Sequence, residues 1–263
     1  MKTAYKSIAL TTLACALGLG LTGCGGGGGD NDNNASTPPT APSTRSAAEG
    51  IWCGTASNGL VENFVVLDDG QAWGFFGVGT CGGYISIDGS YHGTVTVNGN
   101  SISGFGTEYD FGSGILNLSV AGTVSAAQNQ LTFTSPVALT ANYVNAYDQP
   151  ATLASMAGSY SGPAETTGGF SPQVRITVSG SSLTMPADAA GCSAQGTITP
   201  HVTQRGVTVG VFDVNMRLSG GSVCVLGSGV TTQGIALLTA DGQILTGGLT
   251  ANGSQGFFYI GRK

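Results

Sequence analysis

The chain has 263 residues, 45 of them Gly, and only 8% are charged, against roughly 25% in an ordinary globular protein. Its net charge of −6 becomes −8 once Lys2 and Lys6 leave with the export signal described below, and the remaining basic residues (Arg45, Arg175, Arg205, Arg217, Arg262 and Lys263) are scattered. This excludes the basic stripe that nucleic-acid binding requires and any electrostatic pull toward an anionic membrane surface. The scarcity of Glu, Lys and Arg also argues against long surface helices.

In chain order, Lys2 and Lys6 form a positive n-region, and Ile8 to Leu21 an apolar stretch loosened by Thr11, Thr12, Gly18 and Gly20. It is too short for a membrane span, which needs about 20 apolar residues. Leu21-Thr22-Gly23-Cys24 follows and resembles the lipobox of bacterial lipoproteins. The resemblance implies that residues 1–23 are a signal peptide and that Cys24 carries the lipid, a thioether-linked diacylglyceryl group with palmitate-type chains. Two or more acyl chains anchor stably where one is marginal. Gly25, rather than Asp, after the lipidated Cys implies an outer-membrane address, with the side of the membrane left open.

Residues 24–49 are expected to be a tether. Five Gly, the run Asp30-Asn31-Asp32-Asn33-Asn34 and a Ser/Thr/Pro/Ala stretch offer nothing to bury. Some 25 such residues reach roughly 25–30 Å. Ala35 and Ala41 stand where a calcium loop needs its turn Gly and bidentate Glu, so that motif fails.

From Gly50 on, apolar and polar residues alternate with period two, as in Leu116, Leu118 and Val120, or Phe212, Val214, Met216 and Leu218. A phase change near Gly210 suggests a bulge, and Asp69-Gly70, Asn98-Gly99 and Asp241-Gly242 read as hairpin turns. The expected fold is all-β: two related antiparallel barrel or sandwich-like repeats, 50–149 and 158–263, joined by a short helical connector at 150–157. Two echoes support the duplication. Gly50-Ile51-Trp52-Cys53-Gly54 matches Gly158-Ser159-Tyr160-Ser161-Gly162, and Ser90-Tyr91-His92-Gly93-Thr94-Val95 matches Ser193-Ala194-Gln195-Gly196-Thr197-Ile198.

Three segments, Gly50-Ile51-Trp52 with Leu67-Asp68-Asp69-Gly70, the stretch from Leu153 to Gly162, and Gly191-Cys192-Ser193-Ala194-Gln195-Gly196-Thr197-Ile198 with Cys224 and the closing Gly256-Phe257-Phe258-Tyr259-Ile260-Gly261, resemble a family of Gram-negative two-repeat β-rich lipoproteins without an assigned activity. At the level of architecture there is a weaker likeness to the barrel lobes of transferrin-binding surface lipoproteins, which carries no function by itself.

With Cys15 in the signal and Cys24 acylated, Cys53, Cys81, Cys192 and Cys224 remain for disulfides. Three connectivities are open; separately folding halves would give Cys53–Cys81 and Cys192–Cys224. No Cys-x-x-Cys pair exists, and His92 and His201 are far apart, so no metal or cofactor is expected.

Four groups of residues are weighed for chemistry. Glu108 and Asp110 share one face of a strand, although a solvated strand end explains them. Asp68-Asp69-Gly70 reads as a turn only. His92 and His201 read as surface residues rather than members of a triad. Trp52, Trp73, Phe75, Phe76, Tyr84 and Tyr91 fit either a sugar or hydrophobic pocket or core packing. The functional expectation is a non-enzymatic envelope binding or interaction module with a protein or small-molecule ligand. The alternatives are an envelope hydrolase on glycan or ester substrates, or a structural outer-membrane protein.

Overall fold

The computed structural model describes residues 44–110, 114–167, 169–188, 191–221, 224 and 229–263, all within one compact unit that begins at Ala41. The signal, Cys24 and the tether up to residue 43 lie outside the described residues.

The first repeat comprises β1 (Gly50–Ala56), β2 (Val61–Val66), β3 (Gln71–Gly77), β4 (Gly89–Asn98), β5 (Ser101–Asp110), β6 (Gly114–Ser125), β7 (Gln130–Ser135) and β8 (Leu139–Val144). The second comprises β9 (Gly158–Thr166), β10 (Gly169–Ser179), β11 (Ser182–Met185), β12 (Ser193–Val202), β13 (Thr208–Ser219), β14 (Thr231–Leu238), β15 (Gln243–Leu249) and β16 (Gly256–Arg262). Each set is an antiparallel meander that closes on itself, β1 on β8 and β9 on β16, giving two eight-stranded barrels. The connector holds α1 (Leu153–Met156), whose N-cap Thr152 accepts from the Ser155 N–H.

Period-two alternation sorts the side chains into three cores. Trp52, Phe64, Val66, Ile102 and Leu131 fill the first barrel, while Tyr160, Ile176, Leu183, Met216 and Tyr259 fill the second. Outside positions of β4 and β5 that do not face the other barrel carry mostly Ser and Thr, as in Thr94, Thr96, Ser101 and Ser103, with Phe105 an exposed exception. A membrane-spanning barrel has the reverse pattern, apolar outside and polar within. The third core lies between the barrels. Ile51, Val65, Trp73, Phe75, Ile85 and Tyr109 of the first meet Val211, Ile235, Leu245, Phe258 and Ile260 of the second. Burying each aliphatic or aromatic side chain stabilises by about 1.5–3 kcal/mol, so this layer makes the two barrels one body.

The sequence echoes occupy equivalent places, the first and fourth strands of each barrel. Their first members also do the same job. The Trp52 indole N–H donates to the Ala48 carbonyl at 2.7 Å, and the Tyr160 hydroxyl donates to the Met156 carbonyl at 2.9 Å, each four residues back. In both repeats the segment before the first strand thereby stoppers the barrel base, with Ala48 and Met156 fully buried. Residues 44–49, expected to belong to the tether, are instead part of the fold. Their apolar and charged groups find partners that lie about a hundred residues away in the chain, Asp148 and Tyr143 for Arg45 among them.

The disulfides are Cys53–Cys81 and Cys192–Cys224. They are not equivalent: the first ties β1 to the β3–β4 loop, the second ties the residue before β12 to the loop after β13. The bulge near Gly210 is present, as Pro200 pairs with Phe212 but Val202 with Thr208. Ala146, in the 3-10 turn Asn145–Asp148 that precedes the connector, presses there; a Cβ on Gly210 would lie 1.8 Å from its carbonyl oxygen. Two of the turns are longer than the dipeptide reading. Leu67 and Thr239 each bond across a three-residue loop closed by a left-handed Gly, Gly70 (φ 84°) and Gly242 (φ 81°). At the third, Asn98 pairs with Ser101, so the central residues are Gly99 and Asn100.

Candidate functional site

Between the barrels, beside the shared apolar layer, lies a cleft of about 390 Å³. Leu67, Asp69, Gln71 and Trp73, from the β2–β3 hairpin, form one wall. The other wall is the outer face of β12, β13 and β14, where antiparallel register sets side chains in rows. Thr197, Asn215 and Gln233 stand in one row, and Thr199, Asp213 and Ile235 in the next. Asn215 and Gln233 are exposed. Their amides therefore present both donors and acceptors to the cleft. Gln71 is tied back: its Nε2 donates to Asp69 Oδ2 at 2.7 Å.

His201 closes one end of the cleft. Its Nδ1 lies 2.7 Å from Asp213 Oδ1, and its Nε2 faces Asp68 Oδ1 of the first barrel at 3.5 Å. The bond to Asp213 raises the imidazole pKa, and burial only partly opposes it. The reading of His201 as a surface residue is therefore corrected: its side chain is only 15% exposed and is held between two carboxylates. Asp68 is also more than a turn residue. Asp69 satisfies the hairpin by accepting from the Gln71 N–H at 2.9 Å. Asp68 is thereby free to accept from the Gln204 N–H of the opposing hairpin at 2.5 Å.

Below this lies a network that the sequence reading did not identify. Glu49, 1% exposed, accepts from the Tyr147 hydroxyl at 2.9 Å and from Arg205. Arg45 donates to the Glu49 backbone carbonyl and pairs with Asp148 at 2.7 Å. Arg205 is one of the scattered cations, and only the fold shows that it belongs here.

The other candidates go elsewhere. His92 is half-buried, with its ring centroid 4.1 Å from that of Trp73 and its pKa lowered by burial. Glu108 is not a solvated strand end. It faces into the first barrel beside Tyr91, and burial raises its pKa, with a lesser push from Asp110. Glu62 joins it; the Tyr91 hydroxyl donates to Glu62 Oε2 at 3.3 Å, yet burial pushes the acid up to about 7. Tyr91 occupies the remaining space there, since a Cβ on Gly74 would lie 2.1 Å from its ring.

The aromatic residues do not converge on one pocket. Trp52 packs inside the first barrel, Trp73 and Phe75 lie between the barrels, and Tyr84 is exposed beneath Arg262. Core packing thus explains most of them, and Trp73 alone lines the cleft. No group of three or more His, Cys, Asp or Glu residues suited to a metal ion occurs among the described residues.

The class this defines is an all-β protein of two fused, closed eight-stranded barrels with a polar cleft at their junction. No protein-family profile, curated protein or solved structure matches the chain.

Proposed function

We propose that this protein is a lipid-anchored outer-membrane lipoprotein that acts as a non-enzymatic binding module, with the cleft between its barrels as the ligand site and a neutral, hydroxyl-rich molecule such as an oligosaccharide as the ligand class. The observation that carries this reading is the row Thr197–Asn215–Gln233, a set of unpaired hydroxyl and amide groups held on rigid strands opposite Leu67 and Trp73. Amides and hydroxyls exchange hydrogen bonds with a polyol in both directions. Leu67, Ile235 and Trp73 give the cleft an apolar floor against which its C–H groups can pack. Asp69 and Asp213 add acceptors and disfavour anions.

Binding rather than hydrolysis is supported by what the ionisable groups already do. Both nitrogens of His201 face carboxylates, and His92 packs on Trp73. The Glu62–Tyr91–Glu108 group sits where aromatic rings fill the barrel. Anchoring rests on the lipobox at Cys24. It is tested by intact mass of the protein extracted from membranes: a diacylglyceryl-modified Cys24 at the N-terminus supports it, and an unlipidated soluble species overturns it. Incubation of the same material with oligosaccharides and aryl esters should leave every substrate intact; turnover would transfer the reading to a hydrolase.

A further inference from the structure

We propose that a second copy of this chain pairs with it edge to edge along Gly114–Val120 of β6, forming a two-fold symmetric dimer. The barrel leaves this edge open. β5 pairs with β6 along its length, from Thr123 to Gly114, but β7 pairs only with Ala121–Ser125. Among the described residues, seven of β6 thus have a strand neighbour on one side only. Val124 bonds back toward the β5 side through Asn100, and the Ala121 carbonyl accepts from Thr134 on the β7 side. By alternation, the N–H and C=O groups of Ile115, Asn117 and Ser119 point out of the open edge. An unpaired row of this kind is a template for another strand.

The occupant follows from the segment's own symmetry. Antiparallel pairing with its two-fold axis on Asn117 places Ile115 opposite Ser119 and Leu116 opposite Leu118. It also puts every outward N–H and C=O in register, which an axis between residues would not do. Among axes that fall on a residue, the one on Asn117 is the centre of the open segment Gly114–Val120 and so pairs all of it without reaching the part of β6 held by β7. The window fits as well, since Gly114 of one copy comes opposite Val120 of the other, next to Ala121, where pairing with β7 begins.

On the inner face Leu116 and Leu118 cover one another. On the outer face Phe105, 75% exposed and paired with Ser119, and Ile115 of the second copy flank that small residue. Phe105, Ile115 and Leu116 are three of the large apolar side chains that the fold leaves exposed. Nothing repels the pairing: the sequence holds no Asp, Glu, Lys or Arg from Phe111 to Tyr147, so the edge lacks the charged residues that keep edge strands apart.

The test uses the full chain in detergent. Opposed Asn117 residues form a bonded pair with Cα atoms about 5.5 Å apart, within disulfide reach. Asn117→Cys should therefore give a covalent dimer under mild oxidation much faster than Ser103→Cys on the neighbouring strand. By sedimentation the wild-type chain should dimerise, and Asn117→Lys, which sets like charges face to face, should raise the dissociation constant by about tenfold or more, with the melting temperature unchanged at concentrations where both chains are monomeric. Equal crosslinking of the two Cys variants, a wild-type chain that stays monomeric, or a dimer indifferent to Asn117→Lys would overturn the proposal; the last would place the contact on another surface.

Discussion

The side-chain amide of Gln243 in β15 pairs with the backbone of Ile85 in the other barrel as a strand would. Its Oε1 accepts from the Ile85 N–H at 3.2 Å, and its Nε2 donates to the Ile85 carbonyl at 3.2 Å. Gln243 and Ile85 are both fully buried, so no water replaces these bonds. The Ile85 segment belongs to the loop after β3 and has an isolated bridge to Gly79. Gln243 thus completes its hydrogen bonding from across the seam.

Gln243→Ala leaves a buried donor and a buried acceptor unmatched, at about 1–3 kcal/mol each. The expected result is a lower urea midpoint and faster amide exchange at Ile85, measured by denaturation and hydrogen exchange. Gln243→Glu keeps the shape but loses the donor, and should fall between the variant and the wild type at low pH only.

Removing Arg205 strips the cation from the buried Glu49 carboxylate, leaving the Tyr147 hydroxyl as its side-chain partner. Breaking a buried ion pair from one side costs about 3–5 kcal/mol. Arg205→Ala should approach that loss in urea denaturation. The double variant Arg205→Ala, Glu49→Gln should recover much of it, because no buried charge then remains unpaired.

Stability should rise as pH falls from about 8 to about 5. Glu62 and Glu165 are pushed up to about 7 and about 8, in both cases chiefly by burial. Each therefore binds a proton in the folded state that the unfolded chain has lost, and its contribution declines as pH rises from the ordinary Glu range toward the raised value. His201 acts in the same direction: its contribution is complete below the ordinary His value and is lost as pH rises through its raised pKa. His92, lowered by burial, opposes them as pH falls through the ordinary His range. Thermal melts across this window should show the slope, and Glu62→Gln with His201→Gln should flatten it. A melting temperature higher at pH 8 than at pH 5 would contradict the assignment.

The strands, the two repeats and the connector follow from features the chain carries locally: alternation, Gly turns, and the Gly50 and Gly158 echoes. Of the three disulfide connectivities the Cys count leaves open, the structure has the one that keeps each pair within its own repeat. The inward aim of Glu62 was also readable, since it shares its phase with Phe64 and Val66. What escaped were contacts across the seam. Asp68 meets Gln204 at a separation of 136 residues, and Glu49 meets Arg205 at 156. Nothing in a turn tripeptide or in the end of a Pro- and Ser-rich stretch announces a partner that far away. His201 was misjudged for the same reason, because its environment is supplied by two strands and a hairpin of the other barrel.

The cleft is tested most directly by titrating isotope-labelled protein with a panel of neutral oligosaccharides, including maltotetraose, cellotetraose and chitotetraose, and following amide and side-chain signals by NMR. The account predicts saturable shifts centred on Thr197, Asn215 and Gln233 with at least one sugar. They should be abolished in Asn215→Ala, Gln233→Ala protein whose remaining spectrum is unchanged. A cleft silent to the whole panel, or shifts that survive the double variant, would contradict it.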